Sequence, residues 1–163
     1  MIKRILSAII LLAFAAPIVF AAVTPNSPVT AQTPNIGVVQ FLQGTDTAGT
    51  YKTLYTGATN GTKLVGVYAT TNDASASHLV TCQVKVSSVL YGGTAVTIPI
   101  SSGFAAATPA VNMLSAANWP GLPIDRNGNP FLFLPSGDLL QCTFATALTS
   151  TDVLNLVAVT ADF

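Results

Sequence analysis

Asp125, Asn127 and Asn129 stand at alternate positions in GLPIDRNGNPFLFL, Gly121–Leu134, the spacing with which a calcium loop opens. Such a loop places oxygen donors on alternate residues, a glycine at the sixth position for its sharp bend and a bidentate glutamate at the twelfth. Counted from Asp125, the sixth position is Pro130, the twelfth is Ser136, and the glycine comes fourth, at Gly128. One carboxylate with amide oxygens holds calcium poorly, so no metal site is expected here. The spacing predicts a hairpin turn at Asn127-Gly128 feeding a strand from Pro130 to Leu134. Trp119, Asp125, Arg126, Asn127, Gly128 and Asn129 are then a candidate surface turn for contacts with a partner.

The remaining residues with chemical potential are few. His78 is the single histidine, which excludes a multi-histidine metal site within one chain. A Ser–His–Asp arrangement through His78 is conceivable, but there is no G-x-S-x-G elbow, and a histidine at a strand edge is the plainer reading. The acids are six aspartates in turn-like contexts, where such side chains usually bond nearby backbone. No glycine-rich phosphate loop occurs. The chain therefore reads as a non-enzyme without a cofactor. Cys82 alternates with Val80 and Val84, and Cys142 with Leu140 and Phe144, so both thiols are expected to face inward. They could bridge strands or sheets as a disulfide, or remain two buried thiols acting as small hydrophobes.

The elements that would position these residues are strands. Half of the 163 residues are apolar and only 7% are charged, without a single glutamate. That excludes coiled coils, basic nucleic-acid patches and acidic tails, and it argues against disorder. TKLVGVYATT (Thr62–Thr71) alternates Leu64, Gly66, Tyr68 and Thr70 against Lys63, Val65, Val67 and Ala69. HLVTCQVKVSSVLYG (His78–Gly92) sets Val80, Cys82, Val84 and Val86 against Thr81, Gln83, Lys85 and Ser87. Thr94–Ile100, Phe131–Leu134, Asp138–Thr146 and Val153–Phe163 continue the period of two. Turn signals at Asn60-Gly61, Gly92-Gly93, Asn127-Gly128 and Ser136-Gly137 separate them. Only Ala110–Asn118 could be helical, for a turn or two. This pattern predicts an all-β fold, an antiparallel β-sandwich or jelly-roll-like single domain over residues 44–163.

The first 43 residues follow other rules. Lys3 and Arg4 precede an uncharged apolar run from Ile5 to Val23, and small residues allow cleavage between Ala21 and Ala22. Residues 1–21 read as a signal peptide or as an apolar helical segment, the alternatives being an uncleaved anchor or an arm buried in an assembly. Membrane contact is expected only through residues 1–23, if they are retained. Cleavage would remove Lys3 and Arg4, leaving four bases against six acids, a net −2. Residues 22–43, with Pro25, Pro28 and Pro34, read as an extended Pro-rich arm, although packed structure is expected to begin near Ile36.

NMLSAANWPGLPIDRNGNPFLFLPSGDLLQCTF and the ending LNLVAVTADF resemble a family of small proteins encoded among the virion structural genes of tailed phages and prophages. Its members share a Tyr/Thr-rich opening strand, an N-L-L segment, a P-G-L-P-x-D-x-x-G-x-P turn, a G-D-x-L strand start and an A-D-F end. The resemblance runs from about Tyr51 to Phe163, and its motifs are turns and strand starts rather than catalytic residues. At the N-terminus an export-like segment replaces the family's short polar start. The resemblance implies a capsid-associated or decoration-like virion protein, docking on other subunits through sheet edges, turns and the arm. A homo-oligomer without nucleic-acid contact is expected. The alternative class is an exported bacterial β-sandwich, periplasmic or extracellular, that binds a surface or a ligand. Tyr51, Tyr55, Tyr68, Tyr91 and Trp119 could serve it as an aromatic sugar platform, though core and hairpin packing is the better account of them.

Overall fold

The computed structural model describes residues 33–105, 107–149 and 151–163, so the apolar segment, the cleavage point at Ala21-Ala22 and most of the arm lie outside the described residues. The described residues form strands β1 (Thr33–Leu42), β2 (Lys52–Thr56), β3 (Thr62–Thr71), β4 (His78–Val86) and β5 (Val89–Ile98). They continue with β6 (Val111–Asn112), β7 (Leu132–Leu134), β8 (Leu139–Phe144) and β9 (Val153–Asp162). No helix occurs among them, and Ala110–Asn118 supplies β6 followed by turns.

Two antiparallel sheets result. One runs β1-β9-β3-β6, with β7 also paired to β3, and the other runs β2-β8-β4-β5. They share one hydrophobic core, in which Phe41 of the first sheet and Phe144 of the second lie 5.0 Å apart. Full burial of such side chains stabilises by about 1.5–3 kcal/mol each. The all-β expectation with inward Val80, Cys82, Val84, Leu140, Cys142 and Phe144 is met, and all six are buried.

Three local expectations are corrected. First, residues 33–42 are not part of an arm, because β1 pairs with β9 from Thr33↔Asp162 to Leu42↔Val153. Pro34 is tolerated since β1 is an edge strand, where a missing N–H costs no ladder bond. Second, the turn after β4 lies at Ser87-Ser88, both with positive φ (46° and 73°), and not at Gly92-Gly93. Those glycines sit inside β5, where a Cβ on Gly93 would come within 2.5 Å of the Cys82 carbonyl oxygen. Third, β3 does not keep one phase. A bulge between Leu64 and Gly66 makes Val65 the extra residue, so Thr62 and Leu64 point inward and then Val67, Ala69 and Thr71 do.

Candidate functional site

Asp125 is used up by its own turn. Its Oδ1 accepts from the backbone N–H groups of Asn127 and Asn129, both at 2.9 Å, and Gly128 takes positive φ. Ile124 and Pro130 form a single antiparallel bridge across that turn. The Asn129 backbone bond, which outweighs the opposing desolvation, together with the Asn127 bond holds the Asp125 carboxyl below its ordinary range. The turn is thus where the sequence places it, but the strand it feeds is only Leu132–Leu134, not Pro130–Leu134, and pairs with β3 rather than across the turn. Among the described residues no group of three or more His, Cys, Asp or Glu side chains is arranged to hold a metal. Lys63, whose ammonium lies 4.5 Å from the centre of the Phe131 ring, joins Tyr68, Asn112, Asp125 and Asn129 in a cleft of about 190 Å³.

Cys82 and Cys142 lie directly opposite each other on β4 and β8 and are bonded, so the bridge is within one sheet. Met113 packs its thioether 3.9 Å from the Cys82 sulfur. Both half-cystines are fully buried.

His78, the first residue of β4, pairs through Nε2 with Asp73 Oδ2 at 2.9 Å. Asp73 Oδ1 accepts from the Ser75 N–H, the Ser75 hydroxyl and the Ala76 N–H. Burial opposes ionisation of Asp73, but these bonds and the His78 contact outweigh it and lower its pKa strongly. A nucleophile–base pair would need the second ring nitrogen within reach of a hydroxyl. Nδ1 has no partner among the described residues, and the ring is fully buried. The dyad ties the loop after β3 to the start of β4. The sequence hid this because nothing in its local pattern separates Asp73 from the other turn aspartates.

Exposed apolar side chains are the feature with most functional content. On the outward face of the first sheet, Ile36 and Val159 are opposite each other, as are Val38, Val157 and Tyr68 across three strands. Ile36 and Val38 are each 63% exposed, and Val65 and Tyr68 are exposed as well. The outward rows of β1 and β9 in this band carry no charged side chain. They are flanked on one side by Gln40 bonded to Asn155 and on the other by Pro34, Ala161 and Lys63. On β3, Val65 and Tyr68 share a cleft with Lys63 and Asp125. Soluble monomers rarely expose contiguous apolar patches beyond a few hundred Å². The alternation Ile36-x-Val38 was the available signal, masked by the neighbouring prolines. A second exposed set, Val89, Leu90 and Tyr91, opens β5. Of the sequence-predicted interaction residues, Asp125–Asn129 are exposed or half-buried at the surface, whereas Trp119 is buried. The five aromatics do not share one face: Tyr55 reaches Asp162 between the sheets, and Tyr68 lies over Gly66.

No protein-family model matches the chain, and no curated protein matches it. Among solved structures, a chain of the "Cyanophage Pam1 capsid asymmetric unit" aligns over 86% of this chain and 96% of that one. The identity is 18% and the TM-score 0.39, a weak structural similarity to a phage capsid chain from which no residue role follows.

Proposed function

We propose that this chain is a non-enzymatic structural subunit of a virion, capsid-associated in the manner of a decoration protein, and that it assembles through its sheet surfaces. The observation that carries the reading is the exposed apolar outward band of Ile36, Val38, Val65 and Tyr68 on β1 and β3. Burying its β1 and β9 rows against another subunit removes apolar surface from water without desolvating a charge, whereas the β3 end meets Lys63 and Asp125, which a partner would have to pair or leave in water. The motifs behind the family resemblance support the same reading, because each serves backbone geometry. Asp125 and Gly128 shape a turn, Asn112 accepts from the Leu114 N–H, and Asp162 gathers strands. A bonded Cys82–Cys142 pair suits a particle exposed to oxidising surroundings.

Sedimentation of the purified chain over a wide concentration range tests the surface. The native chain should self-associate or bind particles, while Val38→Asp keeps the fold and loses association by at least about tenfold, as hot-spot truncations do. A chain that stays monomeric at every concentration and binds no particle contradicts the proposal.

A further inference from the structure

Two adjoining depressions, of about 350 and 300 Å³, share Val84, Tyr91 and Leu132 and form one groove between the sheets. Trp119 and Leu122 line the first; Phe133 and Pro135 line the second. Tyr91 is 83% exposed, whereas Trp119 is 9% exposed. The groove contains one charged group, Asp138, which is 6% exposed. Its Oδ1 has only a long contact of 3.4 Å from the Ser87 N–H, and its buried Oδ2 has no hydrogen-bond partner among the described residues. A buried carboxylate oxygen without a donor bears its full desolvation penalty, so this groove favours an occupant that brings one.

An aromatic-lined groove of this kind recognises prolines in a polyproline II segment. The chain itself carries a Pro-x-x-Pro sequence outside the described residues, in Thr24–Val29, TPNSPV. Polyproline II has three residues per turn, so a segment bound in that form would present Pro25 and Pro28 on one face, about 9 Å apart. Asn26 and Ser27 between them carry the side-chain donors that Asp138 lacks, and Val23–Gln32 has no charged residue.

We propose that Pro25–Pro28 of one copy seats in the Val84/Tyr91/Leu132 groove of a neighbouring copy, with Asn26 or Ser27 donating to Asp138 Oδ2. The proposal rests on the assembly reading and names one contact within it. Reach favours the neighbour over the chain's own groove. β1 starts at Thr33, opposite Asp162, which in turn pairs with Thr62, the partner of Leu134. From β1 to β7 is three strand spacings, about 14 Å, and the facing sheet lies about 10 Å further in depth. Pro28 is five residues before Thr33, a fully stretched reach of about 17 Å. Its own groove would demand a taut chain run across the sheet; a neighbour's does not. Cleavage between Ala21 and Ala22 would leave the segment intact.

Trp119 is the only tryptophan, which makes the groove its own fluorescent probe. A synthetic peptide of residues Ala22–Thr33 is titrated into the full chain, and into the full chain carrying P25A/P28A, whose own segment no longer competes. The expected result is a saturable shift in Trp119 emission. It should weaken by about tenfold or more with Tyr91→Ala in the receiving chain or P25A/P28A in the peptide, and less with N26A/S27A in the peptide. No shift, or equal binding by the P25A/P28A peptide, overturns the proposal even if the chain assembles. A shift with a chain that never assembles supports the groove while the assembly reading fails. Altered Trp119 emission in a dilute P25A/P28A monomer would place the segment in its own groove and overturn exchange between copies.

Discussion

Asp162 gathers donors from three other strands. Its carboxylate accepts from the Thr62 hydroxyl on β3 at 2.6 Å, the Tyr55 hydroxyl on β2 at 2.9 Å and the Asn35 amide on β1 at 3.1 Å. Tyr55 belongs to the opposite sheet, so this residue of the A-D-F ending fastens the two layers at one end. Asp162→Ala strands the Thr62 and Tyr55 hydroxyls and should lower stability by about 2–4 kcal/mol in urea unfolding. A change within about 0.5 kcal/mol would mean that Asp162 is an ordinary surface acid. The same contacts set the acid limb of stability. Burial opposes ionisation of Asp162 and Asp73, yet bonds from Thr62, Asn35 and Tyr55 to the one, and from Ser75, Ala76 and His78 to the other, hold both pKa values below 3.8. A depressed folded-state pKa gives stability that is fully present above the unfolded value and is lost as pH falls through the folded one. Stability should therefore be nearly flat above about pH 5 and fall progressively below about pH 4, with a shallower fall in Asp162→Asn. At Asp125 both backbone donors already occupy Oδ1, so calcium and a chelator should give the same melting temperature. A rise of several degrees with calcium, abolished by Asp125→Ala, would contradict the turn assignment.

At the scale of elements, β4 and β8 were legible because strict alternation, uninterrupted by a bulge, sends one phase inward. Three features were not, each for a physical reason. β1 carries Pro34 and follows two more prolines, so local propensity argued for an arm, while what makes it a strand is the long-range partner β9. The β3 bulge cannot be read from the period, since one extra residue converts a clean alternation into its opposite phase. Ser87-Ser88 adopt positive φ without glycine, whereas in the Gly92-Gly93 signal Gly93 marks a close approach of β4 backbone. The corrected role of β1 is testable at Gly37. A Cβ there would lie 2.3 Å from the Leu54 carbonyl oxygen of β2, so one methyl group would force the two sheets apart at that corner. Gly37→Ala should cost about 2–3 kcal/mol, in the range of overpacking, whereas a dispensable arm would tolerate it. Removing residues 33–42 should unfold the chain, since β9 would become an edge strand paired to β3 alone and the core would lose Val39 and Phe41.

At the scale of the molecule, core and surface divide the work. The core is closed by an inward disulfide across a separation of 60 residues, worth about 4 kcal/mol by loop entropy. Reduction should lower the melting temperature by roughly 10 °C without abolishing the fold, because the thiols remain buried small hydrophobes. The inward direction of Cys82 and Cys142 was readable from alternation; that they share a sheet was not, because strand order is a long-range property. The candidate site was legible only in part. The turn at Asp125–Asn129 was visible in the sequence, but the outward band of Ile36, Val38 and Tyr68 requires knowing that β1, β9 and β3 are neighbours. That band is the basis for reading the chain as a virion subunit. The most direct measurement is quantitative mass spectrometry of gradient-purified particles from the source culture. The account predicts this chain in the particle fraction at a fixed stoichiometry to the major shell protein, released when particles are disassembled. Its absence from particles, with the chain recovered instead as a free exported protein, would contradict the account.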